Sequence, residues 1–213
     1  DLSKVVARMK GEAGTQVELT IYRPWEDAYI DFTVDRAVVD VPTVEWQMLD
    51  DQVGYIQIVE FEEVTAGQFK TAVEALKSQG MEKLIFDLRD NGGGLLDSVC
   101  EILDVVLPKE LLVYTEDKNG YKEEEWAKDD DALDLPMVVL VNGNTASASE
   151  IFTGALKDYG VAEIIGTTTF GKGIVQSIIP MKDGSAVKLT TAKYYTPSGV
   201  CIHGVGIEPD IIE

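Results

Sequence analysis

Apolar residues recur along this chain with two periods, and the order of those periods gives the first outline of its architecture. Leu2, Val5, Val6 and Met9 keep a helical spacing that Gly11 and Gly14 break, which predicts a short helix over residues 2–10. Two alternating runs, Thr15–Tyr22 and Ala28–Val34, flank Pro24 and predict a hairpin or a pair of strands. Pro42 follows, and Val53–Phe61 predicts a further strand.

Strand and helix signals then take turns. A helix over Ala66–Ser78 is stopped by Gly80, Lys83–Leu88 is a continuous apolar strand, and Leu95–Leu107 is an amphipathic helix closed by Pro108. Beyond a charged loop at Glu123–Asp131 come a buried strand at Met137–Asn142, a helix at Ser147–Tyr159 and a strand at Val161–Gly166. The chain ends on hairpin signals, with Ile174–Pro180 and Ala186–Tyr195 on either side of the turn Lys182-Asp183-Gly184. Such alternation implies an α/β fold with helices covering a sheet. The 213 residues, 45% of them apolar, suffice for one large domain or a core with an appendage. Residues 1–36 are too few to build a core alone.

Charge and composition then narrow the chemistry. Acidic residues outnumber basic ones 38 to 18, and a net charge of -20 argues against nucleic acid or an anionic membrane as partner. No apolar run approaches the roughly 20 residues that cross a bilayer, and no charged-then-apolar leader precedes Asp1. The absent initiator Met is what a fragment or a processed form would show. Cys100 and Cys201 form no CxxC motif, so a structural zinc site is not expected, and Cys100 reads as a small core residue. The single histidine, His203, rules out a pair of histidines around a metal and leaves any Ser/His/Asp triad dependent on that one residue.

Three segments have residues suited to chemistry. Asp87-Leu88-Arg89-Asp90-Asn91-Gly92-Gly93-Gly94 lies between a buried strand and a helix, where glycines expose backbone N–H groups that can cradle an oxyanion, or simply form a turn. Asn142–Glu150 occupies a second strand-to-helix corner. There Ser147 and Glu150 match the S-x-x-E capping pattern, while the helix dipole and the following N–H would also suit a nucleophilic hydroxyl at Ser147. Gly166–Gly173 fits the G-x-x-x-x-G-K spacing of a phosphate loop. Against that, Gly173 stands where a magnesium-binding Ser or Thr belongs, and the β-branched run after it is strand-like. Lys172 is instead a candidate general base, which requires its amine to be desolvated and shielded from the acidic excess.

Taken together, Asp87–Leu95, Thr145–Glu150 and Thr169–Gln176, with the ending Tyr195–Gly199 and Gly206–Asp210, resemble the carboxy-terminal processing proteases, the S41 family of serine peptidases. The resemblance covers nearly the whole chain and implies a serine endopeptidase with Ser147 as nucleophile, Lys172 as general base and Gln176 orienting the lysine. It places the oxyanion hole at the Gly93 and Ala148 N–H groups and requires no metal or organic cofactor. It further implies a crotonase/ClpP-like protease core over residues 37–213, preceded by the C-terminal portion of a PDZ domain over residues 1–36. The partners so implied are protein or peptide substrates recognised at their C-termini by that PDZ domain, and an oligomer is compatible with the family. The implied location is extracytoplasmic: periplasmic, secreted or membrane-anchored. A crotonase-like acyl-CoA enzyme, which would give Lys172 no role, and a non-catalytic peptide-binding module remain the competing expectations.

Overall fold

The computed structural model describes residues 2–39 and 41–213, and the chain divides into two compact units, Asp1–Val41 and Pro42–Glu213. The boundary thus follows Val41 instead of Arg36. In the first unit, helix α1 (Leu2–Met9) is followed by the antiparallel pair β1 (Gln16–Arg23) and β2 (Ala28–Asp35). Arg36 ties the unit together by donating to the carbonyls of Met9 and Gln16 and to the Thr15 hydroxyl.

The second unit contains two sheets. Strands β3 (Val44–Met48), β4 (Val53–Ile58), β5 (Lys83–Asp87), β8 (Met137–Val141), β9 (Ala162–Gly166) and β12 (Ile211–Ile212) form a six-stranded sheet in the order β12-β9-β8-β5-β4-β3. All its pairs are parallel except β3 with β4. Strands β6 (Leu111–Asp117), β7 (Lys122–Trp126), β10 (Ile174–Pro180) and β11 (Ala186–Tyr195) form a four-stranded antiparallel sheet in the order β10-β11-β6-β7. The helices are α2 (Thr65–Ser78), α3 (Leu96–Val106) and α4 (Ala148–Asp158), so the mixed α/β reading holds.

Strands β3, β6, β7 and the two-residue β12 depart from the sequence expectations. Strand β3 does alternate apolar and polar residues, but over only five positions, and β6 opens on the apolar run Leu111–Tyr114, whereas β7 has neither signal. Glu123–Glu125 sit inside β7, not in a loop, and every residue of that strand is exposed at the edge of its sheet, where charge discourages pairing with another chain. The strand is held by its neighbour β6, not by burial of its own side chains.

The core joins the helices to the large sheet through fully buried phenylalanines. Phe69 of α2 stacks on Phe86 of β5 at 6.1 Å between centroids, and Phe152 of α4 meets Phe86 edge-on at 5.0 Å. Every residue from Ala148 to Leu156 is buried, which explains why α4 uses small residues where neighbours press close. A Cβ on Gly154, for example, would sit 2.7 Å from the Thr196 methyl group.

Candidate active site

The sheet order β9-β8-β5 makes one site of three segments distant in sequence. The glycine loop leaves the C-terminal end of β5, the Asn142–Ser147 corner leaves that of β8, and the Gly166–Gly173 loop leaves that of β9. Neighbouring strands lie about 4.8 Å apart, so three strand ends deliver their loops within roughly 10 Å of one another. The crevice beyond the carboxyl ends of parallel strands is where open α/β sheets place their ligands.

Backbone hydrogen bonds then lock the first two loops together. Asn91, fully buried, donates its side-chain amide to the Ile58 carbonyl at 2.7 Å, and its own carbonyl accepts from the Ala146 N–H and the Ser149 hydroxyl. Thr145 donates its hydroxyl to the Leu88 carbonyl at 2.8 Å, and Asp90 accepts from the side-chain amides of Asn142 and Asn144. Asp90 itself takes a positive φ of 63°, an arrangement these amide contacts stabilise.

Ser147 is half-buried and has φ 58° and ψ -119°, an unusual backbone for a residue with a side chain, at the position just before α4. The strain is the kind that a rigid surround maintains at functional corners. Gly93 explains what the corner faces. With φ 103°, it packs so closely that a Cβ there would lie 2.7 Å from the Ser147 Cβ and 2.9 Å from the Ala148 nitrogen. Gly93, Ser147 and Ala148 are therefore brought together. Among the described residues the Ala148 N–H has no hydrogen-bond partner, whereas the Gly93 N–H donates to Asn91 Oδ1 at 2.8 Å.

Glu150 links this corner to the third loop. It is fully buried, and its carboxylate accepts four hydrogen bonds: from the Ser147 and Lys172 N–H groups at Oε2, both 2.8 Å, and from the Thr169 hydroxyl and Gly171 N–H at Oε1, both 2.6 Å. The Ser147 and Lys172 nitrogens thus share one oxygen and lie no further apart than twice that distance. From its sequence context Glu150 has only the role of a helix cap. Its acceptance of the Ser147 N–H agrees with that role, but its bonds to Thr169, Gly171 and Lys172 have no counterpart in the capping pattern.

The lysine side chain itself departs from expectation. Lys172 is exposed instead of buried, as is Gln176, and no hydrogen bond joins the Lys172 amine to the Ser147 hydroxyl among the described residues. The lysine lies in the loop two residues before β10, which is the edge strand of its sheet. His203, also exposed, contributes only its backbone here, against Gly173.

A second polar cluster flanks the glycine loop. Asp87, buried at the end of β5, accepts from Arg89 Nε at 2.9 Å, Arg89 Nη2 at 2.5 Å and the Tyr55 hydroxyl at 2.7 Å. Burial alone would raise the Asp87 carboxyl, but the Arg89 and Tyr55 hydrogen bonds and the guanidinium charge outweigh it and hold the group below the usual carboxylate range. Burial and the neighbouring Asp87 push the Tyr55 phenol up to about 12. The cluster fixes an exposed guanidinium beside the loop. Among the described residues no group of three His, Cys, Asp or Glu side chains is placed to hold a metal ion.

A hydroxyl on a strained strand-to-helix corner, with a free N–H after it and a glycine backbone against it, belongs to the class of sites that can hold a tetrahedral oxyanion during acyl transfer. Comparison with known proteins gives that class a family. Residues 52–212 match the model of peptidase family S41, and the chain belongs to that family. It is 40% identical to the carboxy-terminal-processing protease of Bartonella bacilliformis over 99% of this chain and 50% of that protein. It is 41% identical to a Staphylococcus saprophyticus protein named "Probable CtpA-like serine protease", over 98% of this chain and 43% of that one. Among solved structures, the photosystem II D1 C-terminal processing protease superposes with a TM-score of 0.76 at 32% identity, over 95% of this chain and 56% of that chain. The chain therefore spans half or less of the length of these curated relatives.

Proposed function

We propose that this chain carries the catalytic centre of a serine endopeptidase of the carboxy-terminal processing type. The observation that carries the reading is the Ser147 corner, where a strained backbone sets the serine Cβ against Gly93 and beside the unpartnered Ala148 N–H. In the reaction, neutral Lys172 removes the Ser147 proton as Oγ attacks a peptide carbonyl, and the Gly93 and Ala148 N–H groups hold the oxyanion. The protonated lysine then gives its proton to the leaving amine. Water, deprotonated by the same lysine, releases the acyl group and restores Ser147.

Two movements are needed before the first step. The Gly93 N–H must leave Asn91 Oδ1 to face the oxyanion, and the Lys172 amine must be covered, because desolvation is what frees a lysine of its proton. A bound peptide lying over the site supplies that cover, and Gln176 then orients the amine through an uncharged hydrogen bond. Within the same proposal the core is crotonase/ClpP-like, the first unit is part of a PDZ domain that recognises substrate C-termini, and the protein works outside the cytoplasm. No described helix is long and apolar enough to cross a membrane.

The test is cleavage of an unstructured protein by the intact enzyme. Ser147→Ala and Lys172→Ala should each reduce turnover to background, while His203→Ala should leave it unchanged. Turnover of wild-type magnitude in Lys172→Ala would remove the lysine from the mechanism.

A further inference from the structure

The four-stranded sheet has two unlike edges, β7 and β10. Strand β7, Lys-Glu-Glu-Glu-Trp, is guarded by charge, a usual way of keeping a free edge from pairing with another chain. Strand β10, Ile-Val-Gln-Ser-Ile-Ile-Pro, carries no charge in any of its seven residues, in a chain whose residues are 26% charged. Its one residue without an N–H to donate, Pro180, stands at the far end. A bulge does not guard it either. Val175 and Gln176 are successive on β10 while their partners are Ala192 and Thr190, so the extra residue, Thr191, lies on β11 and leaves the outer edge of β10 regular.

Beyond that shift the hairpin has no further strand beside it. Among the described residues β11 pairs with β6 through Ala192–Tyr195 alone, so Gln176–Pro180 and Ala186–Thr190 form a two-stranded ribbon, which is marginal in water by itself. The register puts Val175, Ser177 and Ile179 on one face with Val187 and Leu189. Val175 packs on the core, whereas Ile179, Val187 and Leu189 are 44%, 41% and 47% exposed. The ribbon therefore carries an apolar face from the core into solvent, beside an unguarded edge.

The position of β10 indicates what covers it. The strand starts at Ile174, two residues and at most about 7 Å of chain beyond Lys172, and an added strand would lie about 4.8 Å away. A chain on this edge thus runs directly out from the Ser147 and Lys172 loops. Cleavage of unstructured protein needs an extended substrate, and main-chain pairing holds one while demanding little of its sequence. Pairing between the β10 edges of two copies would instead bring together two chains of net charge -20.

We infer that the free edge of β10 is a docking site for an extended segment of the substrate, which joins the sheet as an added strand and lays alternate apolar side chains on the face of Ile179, Val187 and Leu189. The inference rests on the peptidase reading of Ser147. It is tested with the intact Ser147→Ala protein and a fluorescein-labelled peptide of about twelve residues, alternating valine with serine, long enough to span β10. In a strand the N–H groups alternate sides, so either the valines or the serines donate to β10, never both. Two further peptides carry N-methyl groups on every valine or on every serine.

By fluorescence anisotropy, one methylated peptide should bind at least about tenfold more weakly than the parent, the scale of two or more net hydrogen bonds, and the other within about twofold. Hydrogen exchange read by mass spectrometry should show β10 gaining protection when the parent peptide is added. Ile179→Lys should weaken binding at least about fivefold, and Ile179→Val should retain it. Should the lysine variant not fold, the two methylated peptides still decide. Equal loss in both peptides, or no gain of protection in β10, overturns the docking site. Full protection of β10 before peptide is added also overturns it, and assigns the edge to another part of the protein or, where protection grows with protein concentration, to a second copy. Wild-type turnover of the parent peptide with equal loss in both methylated forms overturns the docking site and leaves the catalytic reading standing. One-sided loss of binding without wild-type turnover supports the docking site and overturns the catalytic reading.

Discussion

Glu150 is fully buried and, among the described residues, has no cation in hydrogen-bond contact, so its carboxylate is met by the four donors around it. Because two of those donors are the backbone amides of Ser147 and Lys172, the same bonds fix the relative position of the serine corner and the lysine loop. Glu150→Gln would set an NH₂ group against at least one N–H donor in either amide orientation, with an expected loss of about 2–4 kcal/mol in chemical denaturation and a fall in kcat larger than any rise in KM. A variant with wild-type stability would show that the carboxylate is dispensable. Gly93→Ala adds a methyl group that clashes with the serine corner at a φ that favours glycine. Its turnover should drop at least about 100-fold, the scale of losing an oxyanion donor. Asp87 adds a pH dependence: its folded pKa is depressed, so its stabilisation is present above the unfolded value near 3.9 and is lost as pH falls through the lower, folded value. Asp87→Asn should therefore lower stability by about 2 kcal/mol at pH 7 and flatten the acid limb of the urea-unfolding midpoint against pH.

Between elements, the site is positioned by the phenylalanine stack of α2, β5 and α4 more than by any loop. Phe86 precedes Asp87 directly, and Phe152 lies on α4 little more than one turn from Ser147. Phe152→Ala should cost about 3–5 kcal/mol by denaturation, with activity lost in proportion as α4 loosens. The elements that build this frame were legible because they bury a face or a whole strand. Helices α2, α3 and α4, strands β5, β8 and β9, and the β10-β11 hairpin all carry periodic or continuous apolar runs. Of the strands that escaped, β3 and β6 carry short apolar signals of their own, whereas the acidic β7 buries nothing and is recruited by pairing with β6. The same divide runs through the site. Ser147 stood out from its place at a strand-to-helix corner, and Gly93 and Ala148 from the family resemblance, but Asn91 as a staple and Glu150 as a link to the lysine loop depend on partners 33 to 58 and about 20 residues away, which no local pattern displays. Burial of Lys172 failed as an expectation because glycines and apolar neighbours in sequence do not specify which way a loop side chain points.

At the scale of the molecule, a net charge of -20 makes self-repulsion part of the stability. Raising sodium chloride from about 0.01 M to about 0.2 M shortens the screening length from about 30 Å to about 7 Å and should raise Tm by at least about 2 °C in a thermal scan. Under the proposed mechanism the Lys172 amine must be covered before it can act as a base. Acylation of Ser147 by a serine-directed acylating probe, followed by intact-mass and peptide mass spectrometry, addresses that chemistry most directly. A single adduct should form on Ser147 in the wild type and fall at least about 100-fold in rate in Lys172→Ala, as loss of a positioned base predicts. An adduct elsewhere in the chain, or one formed on Ser147 just as fast without the lysine, would contradict the account.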